Sequence, residues 1–127
     1  MTENEVSGAT VDVAFRVHSA LGPGLLESAY ERVLAYELTK RGMHVAAQVA
    51  IPVVYDGIEF EHAFIADMIV NECVIVELKS VEKVAAAHKK QVITYLKLTG
   101  IRLGLLINFG ELLIRDGITR LVNGLPT

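Results

Sequence analysis

Two acidic side chains and one lysine within residues 67–79 have types and spacing that could form a single reactive site. Asp67 interrupts the apolar run FIADMIV, and the run VIVELKS carries Glu77 and Lys79 further along the chain. Because side chains alternate between the two faces of a β-strand, Glu77 and Lys79 point to the same side of theirs. Two carboxylates beside an ammonium group are suited to holding a divalent cation for metal-assisted hydrolysis.

The carboxylates predict a metal site because an acid pair is unfavourable without a cation. A charge buried alone costs several kcal/mol, and two carboxylates side by side repel each other. Mg²⁺ or Mn²⁺ accepts one or two carboxylates, keeps several waters and takes a phosphate oxygen as a further ligand. We therefore expect Asp67 and Glu77 to hold the metal, and Lys79 to orient or activate the attacking water. The alternative is a buried ion-pair network.

The connection between the two strands decides whether the acids share a face. If a two-residue loop pairs Val70 with Cys73, Asp67 and Glu77 point to opposite faces and cannot share a metal. A three-residue loop over 71–73, or a bulge, places the two acids opposite each other. The metal hypothesis therefore predicts an odd-length connection or a bulge at this point.

The sequence around these residues predicts a mixed α/β domain, whose helices and strands must position them. Helical periodicity and glycine stop signals predict helices at about 9–21, 25–41 and 83–99. Strands are predicted at 44–55, 64–70, 73–79 and 103–109, with a last short strand at 112–115 and a helical turn at 118–122. Pro52 indicates an edge strand or a bulge, and Asp56-Gly57 indicates a hairpin. The intervening helix predicts parallel pairing of the strands that flank it.

Length and composition indicate one domain over 1–127, with a flexible N-terminus at 1–8. Hydrophobic residues make up 52% of the chain and the mean hydropathy is +0.42, yet charges interrupt every apolar run before it could span a membrane. The apolar excess predicts a sheet buried on both faces, an oligomer interface, or both. The single Cys73 excludes a disulfide framework and a multi-cysteine zinc site, and is typical of the reducing cytoplasm.

Positive charge is concentrated directly after the acidic strand. The net charge is −3, which argues against general polyanion binding, but residues 79–102 hold six Lys and Arg against one acid, Glu82. We expect Lys83, Lys89 and Lys90 to contact the backbone of a nucleic acid. The alternative is a solvated helix face with no ligand.

Three motifs, which lie at residues 24–30, 67–79 and 91–95, resemble those of one group of enzymes. The pattern of Asp67 followed by Glu77-Leu78-Lys79 resembles the PD-(D/E)XK phosphodiesterase signature, with Ala66 in place of the motif's proline. The stretch from Gly24 through Glu27 to Tyr30 is similar to the motif that names the GxxExxY protein family of that superfamily. Gln91 and Tyr95 are similar to the QxxxY motif of RecB-type and lambda-type exonucleases. The resemblance extends from about residue 17 to residue 122.

The resemblance implies a restriction-endonuclease-like core with a mixed sheet flanked by helices in the order α-α-β-β-β-α-β. It implies that Glu27 joins Asp67 and Glu77 as a metal ligand, and that Gln91 and Tyr95 bind the substrate phosphate. The function implied is a metal-dependent nuclease, with DNA as the expected substrate and a homodimer as the expected assembly. The alternatives are a catalytically inactive nucleic-acid-binding protein and an oligomeric interaction protein that keep the fold.

Overall fold

The computed structural model describes residues 1–125 as three α-helices and one five-stranded sheet. The helices are Glu3–Leu21 (α1), Glu27–Lys40 (α2) and Ala86–Thr99 (α3), with a short 3₁₀ helix at Ile114–Gly117. The strands are Val45–Tyr55 (β1), Ile58–Val70 (β2), Val74–Lys79 (β3), Leu103–Asn108 (β4) and Ile118–Val122 (β5). Within that range no helix is long and apolar enough to cross a membrane.

The strands lie in the sheet in chain order, β1-β2-β3-β4-β5. Among the strands of residues 1–125, the β3–β4 pair alone is parallel, as predicted from the helix between them, and the other three pairs are antiparallel. The expected mixed sheet flanked by helices is therefore confirmed. Pro52 lies in the edge strand β1, beside a shift in the β1–β2 register, and Asp56-Gly57 forms the predicted hairpin turn with φ of 54° and 74°.

Each face of the sheet carries its own apolar cluster. The larger cluster packs α1 and α2 on one face, where Val13 and Leu34 meet Val76. The smaller cluster lies under α3 on the other face, where Leu96 meets Ile75. Because β3 and β4 are covered on both sides, their sequences are continuously apolar rather than alternating.

The N-terminus is helical from Glu3, so the prediction of a flexible segment over 1–8 is wrong. Thr2 and Glu5 form a capping box, with a 3.1 Å hydrogen bond from the Glu5 N–H to Thr2 Oγ1 and a 2.9 Å bond from the Thr2 N–H to Glu5 Oε1. Val6 is fully buried, and Glu3 accepts two hydrogen bonds from Arg102. The cap, the burial and the ion pair fix the first turn.

The C-terminal elements also differ from the prediction. Residues 112–115 form no strand and instead lead into the 3₁₀ helix, and the helical turn predicted at 118–122 is strand β5. β5 pairs antiparallel with β4, from Ile107–Ile118 to Leu103–Val122. Without β5 the buried strand β4 would present an unpaired edge, and the β-branched residues of Ile118–Val122 suit a strand.

Candidate active site

The β2–β3 connection contains three residues, Asn71–Cys73, as the shared-face hypothesis requires. Asn71 and Glu72 take left-handed φ angles of 48° and 60°, and β3 begins at Val74 rather than at Cys73. Three Cα pairs define the register: Val70–Val74, Ile69–Ile75 and Met68–Val76. The next pair in this register is Asp67 and Glu77. The prediction of an odd-length connection is therefore confirmed.

Asp67 lies where β2 changes the face that each side chain uses. Met68 packs in the cluster under α1 and α2, whereas Ala66 packs in the cluster under α3, although strict alternation would put both on one face. The opposing residue in β1 is Gln48, which has a left-handed φ of 51° and is absent from the continuous β1–β2 pairing. A local distortion of both strands therefore sets the direction of the Asp67 side chain.

Backbone amides that leave the β2–β3 ladder hold the two carboxyl groups. The Asp67 N–H donates to Glu77 Oε1 at 3.0 Å, and the Leu78 N–H donates to Asp67 Oδ2 at 2.8 Å. The other oxygen of each carboxyl group, Asp67 Oδ1 and Glu77 Oε2, has no donor from residues 1–125. The site therefore keeps one oxygen of each carboxyl group available to a further partner.

Glu77 is buried in a way that disfavours its charge. Its side chain is 6% exposed, and burial together with the neighbouring charge of Asp67 raises the pKa of Glu77 from 4.5 to about 8. The charge of Lys79 acts in the opposite direction and lowers that pKa, but does not offset the first two effects. A proton or a cation must therefore accompany the acid pair at neutral pH.

Lys79 is the last residue of β3 and is half-buried on the same face as Glu77. Its carbonyl accepts a 2.8 Å hydrogen bond from the Phe109 N–H, which fixes the backbone beneath the side chain. In the described range, residues 1–125, its ammonium group forms no ion pair. The ammonium group is close enough to the acid pair for its charge to lower the pKa of Glu77. Because it has no ion-pair partner in this range, it is free to contact a substrate.

Asn108 and Gly110 position the chain that follows Lys79, and the sequence reasoning missed both. The fully buried Asn108 amide accepts hydrogen bonds from the N–H groups of Val81 and Gly110 at 3.0 Å each, and donates to the Val81 carbonyl at 2.9 Å. A Cβ at Gly110 would lie 2.1 Å from the Val81 carbonyl oxygen. The sequence signal that could have identified them is a polar residue and a glycine at the end of the apolar strand β4.

Tyr95 lies beside the acid pair on the inner face of α3. Its pKa is raised to about 12 by burial first and then by the negative charges of Glu77 and Asp67. Its ring stacks on Phe64 with centroids 3.6 Å apart and planes 3° apart. Tyr95 is therefore a neutral, rigidly held hydroxyl donor next to the carboxylates.

The other predicted substrate-binding residues lie on α3 or shortly before it and are exposed. Gln91 lies one helical turn before Tyr95 and is exposed. Lys89 and Lys90 are exposed near the start of α3, and Lys83 is exposed in the segment before the helix, because α3 begins at Ala86 rather than at residue 83. These four side chains are accessible to a large ligand.

Glu27 does not join the two acids as a third ligand in this structure. It is the first residue of α2, is exposed, and lines a groove of about 500 Å³ together with Ser80. Among residues 1–125 no three Asp, Glu, His or Cys side chains lie close enough to hold one ion. The expectation of a three-acid ligand set is therefore replaced by a two-acid set, with Glu27 in the neighbouring groove.

Tyr30 gives the Gly-Pro-Gly turn a structural explanation. The Tyr30 hydroxyl donates to the Gly22 carbonyl and accepts a hydrogen bond from the Leu25 N–H, so one side chain ties both sides of the turn. Its ring is fully buried and stacks on Phe109 with centroids 4.3 Å apart. The Ser80 hydroxyl donates to the Leu25 carbonyl at 2.6 Å, which links the turn to the end of β3.

The donor set fits a hard divalent cation. Two carboxylates each retain a free oxygen, the pair is partly buried, and its negative charge exceeds what Lys79 offsets. Mg²⁺ and Mn²⁺ prefer oxygen ligands and commonly use only one or two carboxylates, with waters completing the shell. The site therefore suits such an ion without Glu27.

The comparisons with known proteins agree with the geometry. The model of the PD-(D/E)XK nuclease superfamily matches residues 4–121, which include every site residue described above. No curated protein and no solved structure matches the chain. The narrower GxxExxY family stays a prediction. With its mixed sheet, its acid pair and a match over nearly its whole length, the chain belongs to the PD-(D/E)XK nuclease superfamily.

Proposed function

We propose that this protein is a nuclease that hydrolyses phosphodiester bonds in DNA with the help of Mg²⁺ or Mn²⁺. The observation that supports the proposal best is the convergence of Asp67 and Glu77 from neighbouring strands, with Lys79 beside them on one face. Membership of the nuclease superfamily supports a nucleic-acid substrate. The metal and the choice of DNA belong to the proposal.

Each residue of the acid pair has a role that follows from its contacts. Asp67 Oδ1 and Glu77 Oε2 would hold the cation, because their other oxygens are engaged by backbone amides. When bound, the cation supplies Lewis-acid polarisation of the phosphoryl oxygen and a more acidic water. The Lys79 ammonium then orients the attacking water and stabilises the negative charge that develops on the phosphate.

Residues of α3 and the preceding segment would hold the substrate. Tyr95 and Gln91 can donate hydrogen bonds to phosphate oxygens beside the acid pair. The exposed lysines Lys83, Lys89 and Lys90 supply positive charge along the backbone of the strand. Because such contacts carry no sequence information, we expect little sequence specificity, and cutting both strands of a duplex would take two copies of the chain.

The test is a cleavage screen with Mg²⁺ or Mn²⁺ on single- and double-stranded DNA and RNA. The wild-type protein is compared with Lys79→Ala and Asp67→Asn, and with Lys40→Ala as a matched control. Lys40 is an exposed lysine at the end of α2, away from the acid pair. We expect cleavage by the wild type and by Lys40→Ala, and a loss of about a hundredfold or more in the two site variants.

Three outcomes separate the proposal from its alternatives. Equal cleavage by all four proteins would point to a contaminating nuclease and contradict the assigned site. Binding of nucleic acid without cleavage in any metal would indicate an inactive binding protein. A metal titration by calorimetry that gives the same heat for wild type and Asp67→Asn would contradict the two-acid metal site.

A further inference from the structure

Strands β1 and β2 both change the face that their side chains use at the position of Asp67. In β1, Val45 packs in the cluster under α1 and α2, whereas Val49 packs in the cluster under α3. Strict alternation would put these two residues, four positions apart, on one face. The change falls at Gln48, which lies opposite Asp67. The β1–β2 pairing omits these two residues, although its register is the same on either side of them.

Gln48 has a backbone conformation that its residue type disfavours. Its φ is 51°, and within residues 1–125 His62 is the other non-glycine residue inside a strand that has a left-handed φ. Glutamine lacks the short polar side chain that lets Asn and Asp adopt this conformation more easily. Such strain persists only where surrounding contacts enforce it, and it is concentrated at functional sites. The enforcing contact comes from α2, because Gln48 Nε2 donates to both carboxylate oxygens of Glu31 at 3.0 Å each.

The left-handed backbone keeps the side chain of Gln48 off the face of the acid pair. Glu77 lies between Val76 and Leu78, which both pack under α1 and α2, so the Glu77 side chain points to the α3 face. In an undistorted β1, residue 48 would point to that face too, because Ala47 lines a groove beside α2. Instead, both Ala47 and Gln48 turn towards α2. The α3 face opposite Asp67 is therefore not occupied by the side chain of residue 48.

We propose that Glu31 and Gln48 are positioning residues, which hold β1 in the conformation that leaves the Asp67 side chain room beside Glu77. The inference rests on the proposed function, because it concerns the same metal site. Neither residue contacts the carboxyl groups directly: Glu31 holds Gln48, and Gln48 sets the backbone opposite Asp67. Residues that orient metal ligands in this indirect way are commonly worth about tenfold to a hundredfold in metal affinity.

The first measurement is a calorimetric titration of the protein with Mn²⁺. Gln48→Val should weaken binding about tenfold or more, because a β-branched residue strongly disfavours a left-handed backbone and returns β1 to ordinary strand geometry. Gln48→Gly should bind Mn²⁺ within about twofold of the wild type, because glycine adopts a left-handed φ without a Cβ penalty. Glu31→Ala should weaken binding about tenfold, because Gln48 then loses the contact that holds it.

Two matched control variants should bind Mn²⁺ like the wild type. His62→Val replaces the other left-handed residue of a strand, five positions before Asp67, by the same β-branched residue. Glu37→Ala removes a carboxylate from α2 that pairs with Lys40 and not with β1. Circular dichroism verifies that each variant is folded.

The second measurement needs neither metal nor nucleic acid. In an amide NMR spectrum of the metal-free protein, the Leu78 proton should lie downfield, because it donates to the Asp67 carboxylate at 2.8 Å. It should move upfield in Gln48→Val and stay in place in Gln48→Gly and His62→Val. In urea unfolding, Gln48→Val should keep the stability of the wild type, because relief of backbone strain offsets the lost contact with Glu31. A merely structural role would lower stability and metal affinity together.

Three results would overturn the proposal. Wild-type affinity for Mn²⁺ and an unmoved Leu78 proton in Gln48→Val would show that Gln48 does not position Asp67. Equal weakening by Gln48→Val and Gln48→Gly would exclude the left-handed backbone as the cause, and unchanged binding in Glu31→Ala would remove Glu31. If the wild type itself binds no Mn²⁺, the metal site of the proposed function fails, while the Leu78 proton still decides whether Gln48 positions Asp67.

Discussion

Replacing Glu77 by glutamine should make the metal-free protein less sensitive to pH. The buried Glu77 carboxyl has its pKa raised from 4.5 to about 8, whereas the unfolded chain ionises it near 4.5. Between these values the folded protein binds more protons than the unfolded chain, so the stability of the wild type falls as pH rises through that window. Below this pH window the stabilisation that the protonated Glu77 gives to the folded state is fully present, and above the window that stabilisation is lost. Glutamine cannot ionise, so the free energy of unfolding of the variant lacks this dependence on pH.

The magnitude follows from the shift in pKa. Each pH unit inside the window changes the free energy of unfolding by about 1.4 kcal/mol, so wild type should lose at most about 3 kcal/mol relative to Glu77→Gln between about pH 5 and pH 7.5. The glutamine side chain of this variant would retain an oxygen to accept the 3.0 Å hydrogen bond from the Asp67 N–H. The variant should therefore fold with the same local geometry.

The assay is urea unfolding in a chelating buffer across this pH range, followed by circular dichroism. Glu72→Gln, which changes an exposed carboxylate in the nearby hairpin loop, should follow the wild type at every pH. Adding Mg²⁺ or Mn²⁺ near the upper end of the range should restore wild-type stability and leave Glu77→Gln nearly unchanged. A difference between wild type and Glu77→Gln that stays constant with pH, or that favours the wild type as pH rises, would refute the burial argument.

Other parts of the site give predictions of the same kind. Gly110→Ala should lose about 3 kcal/mol or more in urea unfolding, because its Cβ would meet the Val81 carbonyl, whereas Gly8→Ala in the open, exposed part of α1 should gain about 0.5–1 kcal/mol. Tyr30→Phe should lose about 1–3 kcal/mol by the same measurement, because the Gly-Pro-Gly turn loses both bonds to the hydroxyl. Tyr95→Phe should keep its ring stack and its stability but lower the cleavage rate about tenfold or more, since one donor to the phosphate is removed.

The register of the acid pair could be predicted from the sequence because strand geometry allows only two outcomes. A loop of even length would separate Asp67 and Glu77, and a loop of odd length brings them together. The hypothesis that the two acids share a cation selects the second, and Asn71–Cys73 is a loop of odd length. The parallel β3–β4 pair was predictable for a similar reason, because a helix-length connection returns the chain to the same end of the sheet.

The sequence could not reveal the distortion that aims the Asp67 side chain. A left-handed φ at Gln48 has no reliable signal in residue type, since glycine is the usual marker of that conformation. The role of Asn108 was hidden for another reason, because its partner Val81 is far along the chain and is brought near only by the parallel pairing. The place of Glu27 depends on how α2 meets the end of β3, which no local pattern determines.

Ending the β2–β3 ladder at the acid pair serves the site directly. Past Met68 the Asp67 and Leu78 N–H groups no longer bond to an opposing carbonyl and instead hold the two carboxyl groups. Each carboxyl group thus presents one fixed oxygen, so little ordering remains to be done when a cation binds. Because Glu77 is protonated below its raised pKa, a proton competes with the cation there, and metal affinity should rise with pH until the carboxyl group is fully ionised above about pH 8.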